Sequence, residues 1–149
     1  MRQDHRHARL GVAEIGADRT GIRISPLGNA GGLVEGPEAA DLYRYLVAEL
    51  NKLNLAYLHV LHTGDEKLAA DIRKLWTHPL LVNRPNATRE NLDQDVKTGL
   101  ADLVPVGKMA LANPDLIVRL QKNAQLNLPN PATFFGGGAE GYIDYPALA

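Results

Sequence analysis

The sequence predicts an α/β fold built on parallel strands, and three observations carry that reading. Short apolar, β-compatible runs recur along the chain, and helical stretches with apolar residues every three or four positions lie between them. A length of 149 residues, 45% hydrophobic and 22% charged, suits one buried core. Strands alternating with helices are joined by right-handed crossovers into a parallel sheet.

The β-compatible runs are Gly21-Ile-Arg-Ile-Ser25, Leu55-Ala-Tyr-Leu-His-Val60, Pro79-Leu-Leu-Val-Asn83 and Ala101-Asp-Leu-Val-Pro-Val106. From Pro37 to Leu53 the residues Ala39, Leu42, Leu46, Leu50 and Leu53 form one stripe, which predicts a helix packed on the sheet. Leu68, Ile72 and Leu75 predict a second helix over 65–76, and Leu92 and Val96 a short one between Thr88 and Lys97. Asn113-Pro-Asp115 reads as an N-cap, a proline at the first helical position and an acid at the positive helix end, opening a helix through Lys122. The result is four βα units, half of a (β/α)8 barrel. Met1 to Arg9 is polar and lacks helical periodicity, and Leu10 to Ile15 reads as the end of a helix before the first strand. The expected division is a polar remnant over 1–15 and a half-barrel over 16–149.

Composition excludes several classes. A formal charge of -1, with Lys and Arg scattered, leaves no basic surface for nucleic acid. No run approaches the roughly 18 apolar residues of a membrane span, and the start lacks a signal-peptide core, so a cytoplasmic location is expected. Without cysteine there is neither disulfide nor thiolate chemistry. The five histidines do not make a metal site: His59 is in a strand and His62 in the following loop, His5 and His7 are in a polar tail, and His78 precedes a proline.

In (β/α)8 barrels chemistry sits at the C-terminal ends of the strands, with phosphate often held after the last two. Arg23, between Ile22 and Ile24, is expected to be buried and therefore to face something anionic or carbonyl-rich, either a ligand or a neighbouring Asp or Glu. Gly107 and Lys108 follow a strand and precede a helix cap, where amides and an ammonium can converge on a phosphate. Phe134 and Phe135 precede Gly136-Gly-Gly138; glycines allow close approach and the aromatics offer flat surface to a ring system.

Two linked stretches, Gly99-Leu-Ala-Asp-Leu-Val-Pro-Val-Gly-Lys-Met-Ala-Leu-Ala-Asn-Pro-Asp115 and Thr133-Phe-Phe-Gly-Gly-Gly-Ala-Glu-Gly-Tyr-Ile-Asp-Tyr-Pro146, resemble the C-terminal end of the Old Yellow Enzyme family of FMN-dependent ene-reductases. The resemblance extends upstream to Ala17-Asp-Arg-Thr-Gly-Ile-Arg-Ile-Ser-Pro26. It implies an FMN-dependent oxidoreductase that uses NADH or NADPH to reduce the activated C=C bond of an enone-type substrate. It places Arg23 at the flavin N1/C2 carbonyl edge, Gly107 and Lys108 at the FMN phosphate, and Phe134 and Phe135 beside the flavin. Tyr142, Asp144 and Tyr145 would fix the tail against the barrel.

The match departs from the family in two places. Lys108 stands where the family has arginine, keeping the charge without the bidentate fork. Where the family has a Gly-Gly pair, this chain reads Val82-Asn83-Arg84-Pro85-Asn86, and proline has no amide to donate. Arg84 then either restores charge to the phosphate cradle or belongs to a capped surface turn, with Asn83 beside it. Complete barrels of this kind run to about 250 residues or more, so the resemblance covers the second half of an enzyme, and its catalytic residues (the substrate anchor and proton donor) belong to the first. The start is read as a truncation, a split gene or a displaced start codon. A homodimer or a complementing N-terminal half is expected to close the barrel; the other readings are a non-catalytic assembly module and an inactive truncated remnant.

Overall fold

The computed structural model describes residues 2–28, 34–62, 64–136 and 138–148, with side chains from residue 6 onward. Two compact units divide the chain, Met1–Pro105 and Val106–Ala149.

In the first unit the strands β1 (Gly21–Ile24), β2 (Tyr57–Leu61) and β3 (Leu80–Asn83) form a parallel sheet in the order β1-β2-β3. The register sets Arg23 beside His59, and His59 beside Leu81. Side chains alternate across a strand, and burial follows: Ile24, Leu58, Val60, Leu80 and Val82 are buried, while Arg23 and Tyr57 are exposed and His59, Leu61, Leu81 and Asn83 half-buried.

Helices α1 (Arg2–Ile15), α2 (Ala39–Asn51) and α3 (Glu66–Leu75) supply the partners of the buried face, where Ala8, Leu46, Val47, Leu50, Leu68, Ile72 and Trp76 join the strand residues in one cluster. The buried stripe of α2 is Ala39, Leu46, Val47 and Leu50. Ala39, Leu46 and Leu50 are as expected, and Leu53 packs on the same cluster just beyond the helix end; Leu42 is exposed, and Val47 takes its place in the buried stripe. The α3 stripe is as expected, and Asp65 caps it by accepting from Leu68 N at 2.8 Å.

Three sequence expectations are corrected. Residues 2–9, read as lacking helical periodicity, belong to α1. The packed stripe there is only Ala8 and Val12, too narrow to show as an apolar repeat, and Gly16 at φ 91 ends the helix. The run 101–106 is not a fourth strand but a single bridge, Leu103 to Leu81. Asp102 N and Leu103 N both turn to Leu80 O, Pro105 has no amide hydrogen, and its carbonyl is taken by Asn83 Nδ2 at 2.7 Å, so one rung forms and no ladder. The four-unit half-barrel is therefore seen as three strands. The helix expected between Thr88 and Lys97 divides into a 3-10 turn, Arg89–Asn91, and a short helix α4 (Gln94–Lys97).

The second unit contains α5 (Gly107–Ala112) and α6 (Leu116–Gln121). Gly107 and Lys108 open a helix of their own, and the expected N-cap Asn113 is buried instead. Its Nδ2 donates to Met109 O and Asn127 O, and its Oδ1 accepts from Asn127 N. Buried Arg119 donates to Asp115, Gln125 O and Pro146 O, tying α6 to the tail. No helix among the described residues is long and apolar enough to cross a membrane.

Trp76 is the chain's single tryptophan, fully buried, and its Nε1 donates to Pro79 O at 3.0 Å. Trp76→Phe removes buried ring volume and one of the two donors to that carbonyl, the other being Leu58 N, so a loss of about 2 kcal/mol, mostly from the cavity, is expected from urea unfolding followed by circular dichroism. An unchanged midpoint would contradict this packing.

Candidate functional site

Arg23 is exposed, which corrects the expectation of burial. It alternates with Ile22 and Ile24 and therefore projects to the other face of β1, away from the helices. Among the described residues no carboxylate pairs with it, so the structural ion pair weighed from the sequence is not formed there. Its register neighbour His59 is held below the ordinary imidazole range, first by burial and then by the Arg23 charge. His59 is thus neutral at pH 7, and its Nε2 is shielded from solvent with no hydrogen-bond partner among the described residues. One row toward the strand start, Tyr57 lies across Gly21, where an added Cβ would come within 2.2 Å of the ring. Only glycine lets that ring settle onto the open face.

At the C-terminal ends of β2 and β3 a second cluster forms. Arg84 follows β3 and meets two carboxylates: its Nε and Nη2 donate to Asp95 at 2.7 and 2.9 Å, and its Nη1 and Nη2 to Glu66 at 2.7 and 3.0 Å. Glu66, in the first turn of α3, is pushed below the usual carboxylate range chiefly by Arg84, and the two acids hold the guanidinium charged. Glu66 Oε2 also lies 3.4 Å from Nε2 of buried His62, whose Nδ1 accepts from Gly64 N. An open cleft of about 460 Å³ is lined by His62, Gly64, Arg84, Pro85, Asn86 and Asn91. The carboxylate partners of Arg84 were not foreseen, because they lie 18 and 11 residues away on other elements. Asn83 faces the open side of β3 and spends its amide on Pro105 O.

In the second unit Gly107 and Lys108 are exposed at the start of α5, and among the described residues no carboxylate pairs with Lys108. Phe134 is half-buried and Phe135 fully exposed, their rings edge to face at 6.3 Å. Gly137, the middle of the glycine triplet, lies outside the described residues. The spacing of Thr133 and Gly141 has a direct cause: Gly141 is at φ 69, and a Cβ there would lie 2.0 Å from Thr133 Oγ1. Gly141 N donates to Asp144, and Asn130 N to the Tyr145 hydroxyl, so these two residues fold the tail onto itself; Tyr142 is exposed.

Glu66, Asp71, Asp102 and Asp115 all sit below the usual carboxylate range, held chiefly by Arg84, Lys67, the Leu80 N–H and Arg119 respectively. A depressed folded pKa contributes stability that is complete above the unfolded value, about 4, and is lost as pH falls through the folded values. His59, also depressed, begins to withdraw its contribution below about pH 6.5. Thermal melts from neutral to acid pH are expected to fall gently at first and steeply below about pH 4; a flat profile into that range would contradict the ion pairs.

Residues 11–127 match the model of the NADH:flavin oxidoreductase / NADH oxidase family. Among curated proteins the chain is similar to the probable flavin mononucleotide-dependent alkene reductase of Leishmania infantum, 39% identical over 92% of this chain and 38% of that protein. It is also similar to 12-oxophytodienoate reductase 2 of Arabidopsis thaliana, 38% identical over 91% of this chain and 38% of that one. Among solved structures, morphinone reductase in complex with tetrahydroNAD superposes with a TM-score of 0.89 at 32% identity, covering 99% of this chain and 41% of that chain. The old yellow enzyme of Trypanosoma cruzi does so with a TM-score of 0.85 at 33% identity, covering 95% and 38%. The chain thus spans about two fifths of the length of these proteins.

Proposed function

Since this chain belongs to the NADH:flavin oxidoreductase / NADH oxidase family, we propose that it is the flavin-holding C-terminal half of an FMN-dependent oxidoreductase that reduces activated C=C bonds with NADH or NADPH. The observation that carries the reading is Arg23: an exposed guanidinium on the open sheet face, beside a neutral imidazole, with no carboxylate pairing with it among the described residues. Such a group fits an electron-rich carbonyl edge, and its fixed charge stabilises negative charge that develops there. When bound, FMN supplies hydride transfer from the reduced nicotinamide to the alkene. In the second unit, Lys108 and the Gly107 amide are the groups proposed for a phosphate, and Phe134 and Phe135 for a flat ring face. Asn83 holds segment 101–105 against β3 and so shapes the loop region on which Arg84 stands.

Arg23 binds and orients; it does not anchor a substrate carbonyl or donate a proton, and those duties fall to residues outside this chain. Loss of such positioning is worth up to roughly 7 to 11 kcal/mol of barrier. The chain alone is therefore expected to bind FMN weakly or not at all and to show no appreciable enone reduction with NADPH. Supplying the N-terminal half of a homologue should restore a yellow complex and turnover, and Arg23→Ala in that pair should weaken FMN binding at least tenfold, about 1.4 kcal/mol. Unchanged binding and rate would remove Arg23 from the site; a stoichiometric yellow protein from the chain alone would show a site it completes itself.

A second reading, assembly, rests on the uncovered sheet. Parallel sheets occur almost only with both faces covered, and the outer edge of β1 templates further pairing, whereas segment 101–103 already occupies the outer edge of β3. A homodimer or a complementing half would satisfy both. Light scattering coupled to size exclusion is expected to show a dimer, a larger assembly or aggregation; a monodisperse, cooperatively unfolding monomer would refute it.

A further inference from the structure

We propose that Arg84 is a positioning residue rather than an anion ligand: held in plane by Asp95 and Glu66, it sets the Glu66 carboxylate against His62 and so locks the loops after β2 and β3 into one rim. The inference is independent of the cofactor reading.

A guanidinium offers five N–H donors in a fixed fork, and four of them are spent, two on each acid. One positive charge faces two negative ones, so an incoming phosphate would meet more repulsion than attraction and would have to displace paired, charge-assisted bonds. The side chain of Asp95 is only 7% exposed, so it has little water to replace Arg84. Arg84 thus has strong reasons to stay where it is.

The chain of contacts continues beyond the arginine. Because His62 Nδ1 accepts from Gly64 N, the neutral ring carries its hydrogen on Nε2. That nitrogen is buried without a hydrogen bond among the described residues and faces Glu66 Oε2 at 3.4 Å, an electrostatic contact. Arg84 fixes the carboxylate, the carboxylate charge faces the ring N–H and so favours that tautomer, and the ring accepts from the Gly64 amide in a turn at φ 118. Loops from two successive strands, the start of α3 and helix α4 are joined through one planar cation. A lysine supplies the charge but cannot make four in-plane bonds, which separates geometry from charge.

The test uses the chain as it stands, at a pH where histidine is neutral, reading the His62 tautomer from long-range ¹H–¹⁵N imidazole spectra together with the thermal midpoint. Wild type is expected to show a single Nε2–H tautomer. Arg84→Met and Arg84→Lys should both lower the midpoint by several degrees and give mixed His62 tautomers. If Arg84→Lys matches wild type in both readouts, charge alone suffices and the proposal falls. Should both variants fail to fold, Glu66→Gln, at a carboxylate that is largely exposed, keeps the Arg84–Asp95 pair; a His62 spectrum unaltered in that variant would overturn the linkage. Inorganic phosphate at millimolar concentration should leave the Arg84 Nε–H signal unmoved, and a saturable shift there would make Arg84 an anion ligand after all. The Lys108 signals in the same titration report separately on the phosphate role proposed for that residue.

Discussion

The first unit is governed by one constraint: among its described residues, α1, α2 and α3 all pack on the same face of the three parallel strands. The buried face is closed by Leu46, Val47, Leu50, Ile72 and Trp76, and parallel strands require such crossovers to exist at all. The other face carries what an apolar core would not tolerate: the Arg23 guanidinium, which no carboxylate pairs with among the described residues, the His59 imidazole, whose Nε2 has no hydrogen-bond partner among them, and the Asn83 amide. The same alternation that makes the core therefore sorts the chemistry. Each strand contributes leucine, isoleucine or valine to one side and a polar or aromatic side chain to the other, with Tyr57 seated over Gly21 at the foot of the row.

Polar side chains at the strand ends divide into two kinds. Arg84 and Arg73 are cations paired with acids: Arg73 donates to Asp102, Trp76 O and His78 O, and Asp102 also receives Leu80 N, so one carboxylate aligns the start of β3 and the end of α3. Arg23 and Lys108 are the opposite case, charges that the described residues do not compensate with a carboxylate. Burial gives the reason: half-buried Arg73 and Arg84 must be paired, whereas exposed Arg23 and Lys108 need no partner to be stable.

How much of this was legible in the sequence depends on the distance over which each interaction acts. β1, β2 and β3 were readable because apolar runs bounded by turn residues are local signals, and α3 because its stripe and its Asp65 cap lie within one helix. Most of the α2 stripe is legible too, but Leu42 and Val47 are equally apolar and only packing against the sheet chooses between them. Segment 101–106 looked like a strand on composition, but Pro105 and the side chains of Asp102 and Asn83 take the bonds a ladder would need. The pairing of Arg84 with Glu66 and Asp95 had no local trace. The exposure of Arg23 was misjudged by assuming that a strand flanked by isoleucines is covered on both faces.

The second unit is held together by different means. Among its described residues the buried apolar side chains are Ala112 and Leu116 alone, while Asn113, Arg119 and Asn127 bind the main chain of the tail. The heat capacity of unfolding comes from exposing apolar surface, and here there is little to expose. Residues 106–149 would therefore melt by a shallow, mainly enthalpic transition with a small heat-capacity step, and their amide hydrogens would exchange through local opening while the sheet stayed protected.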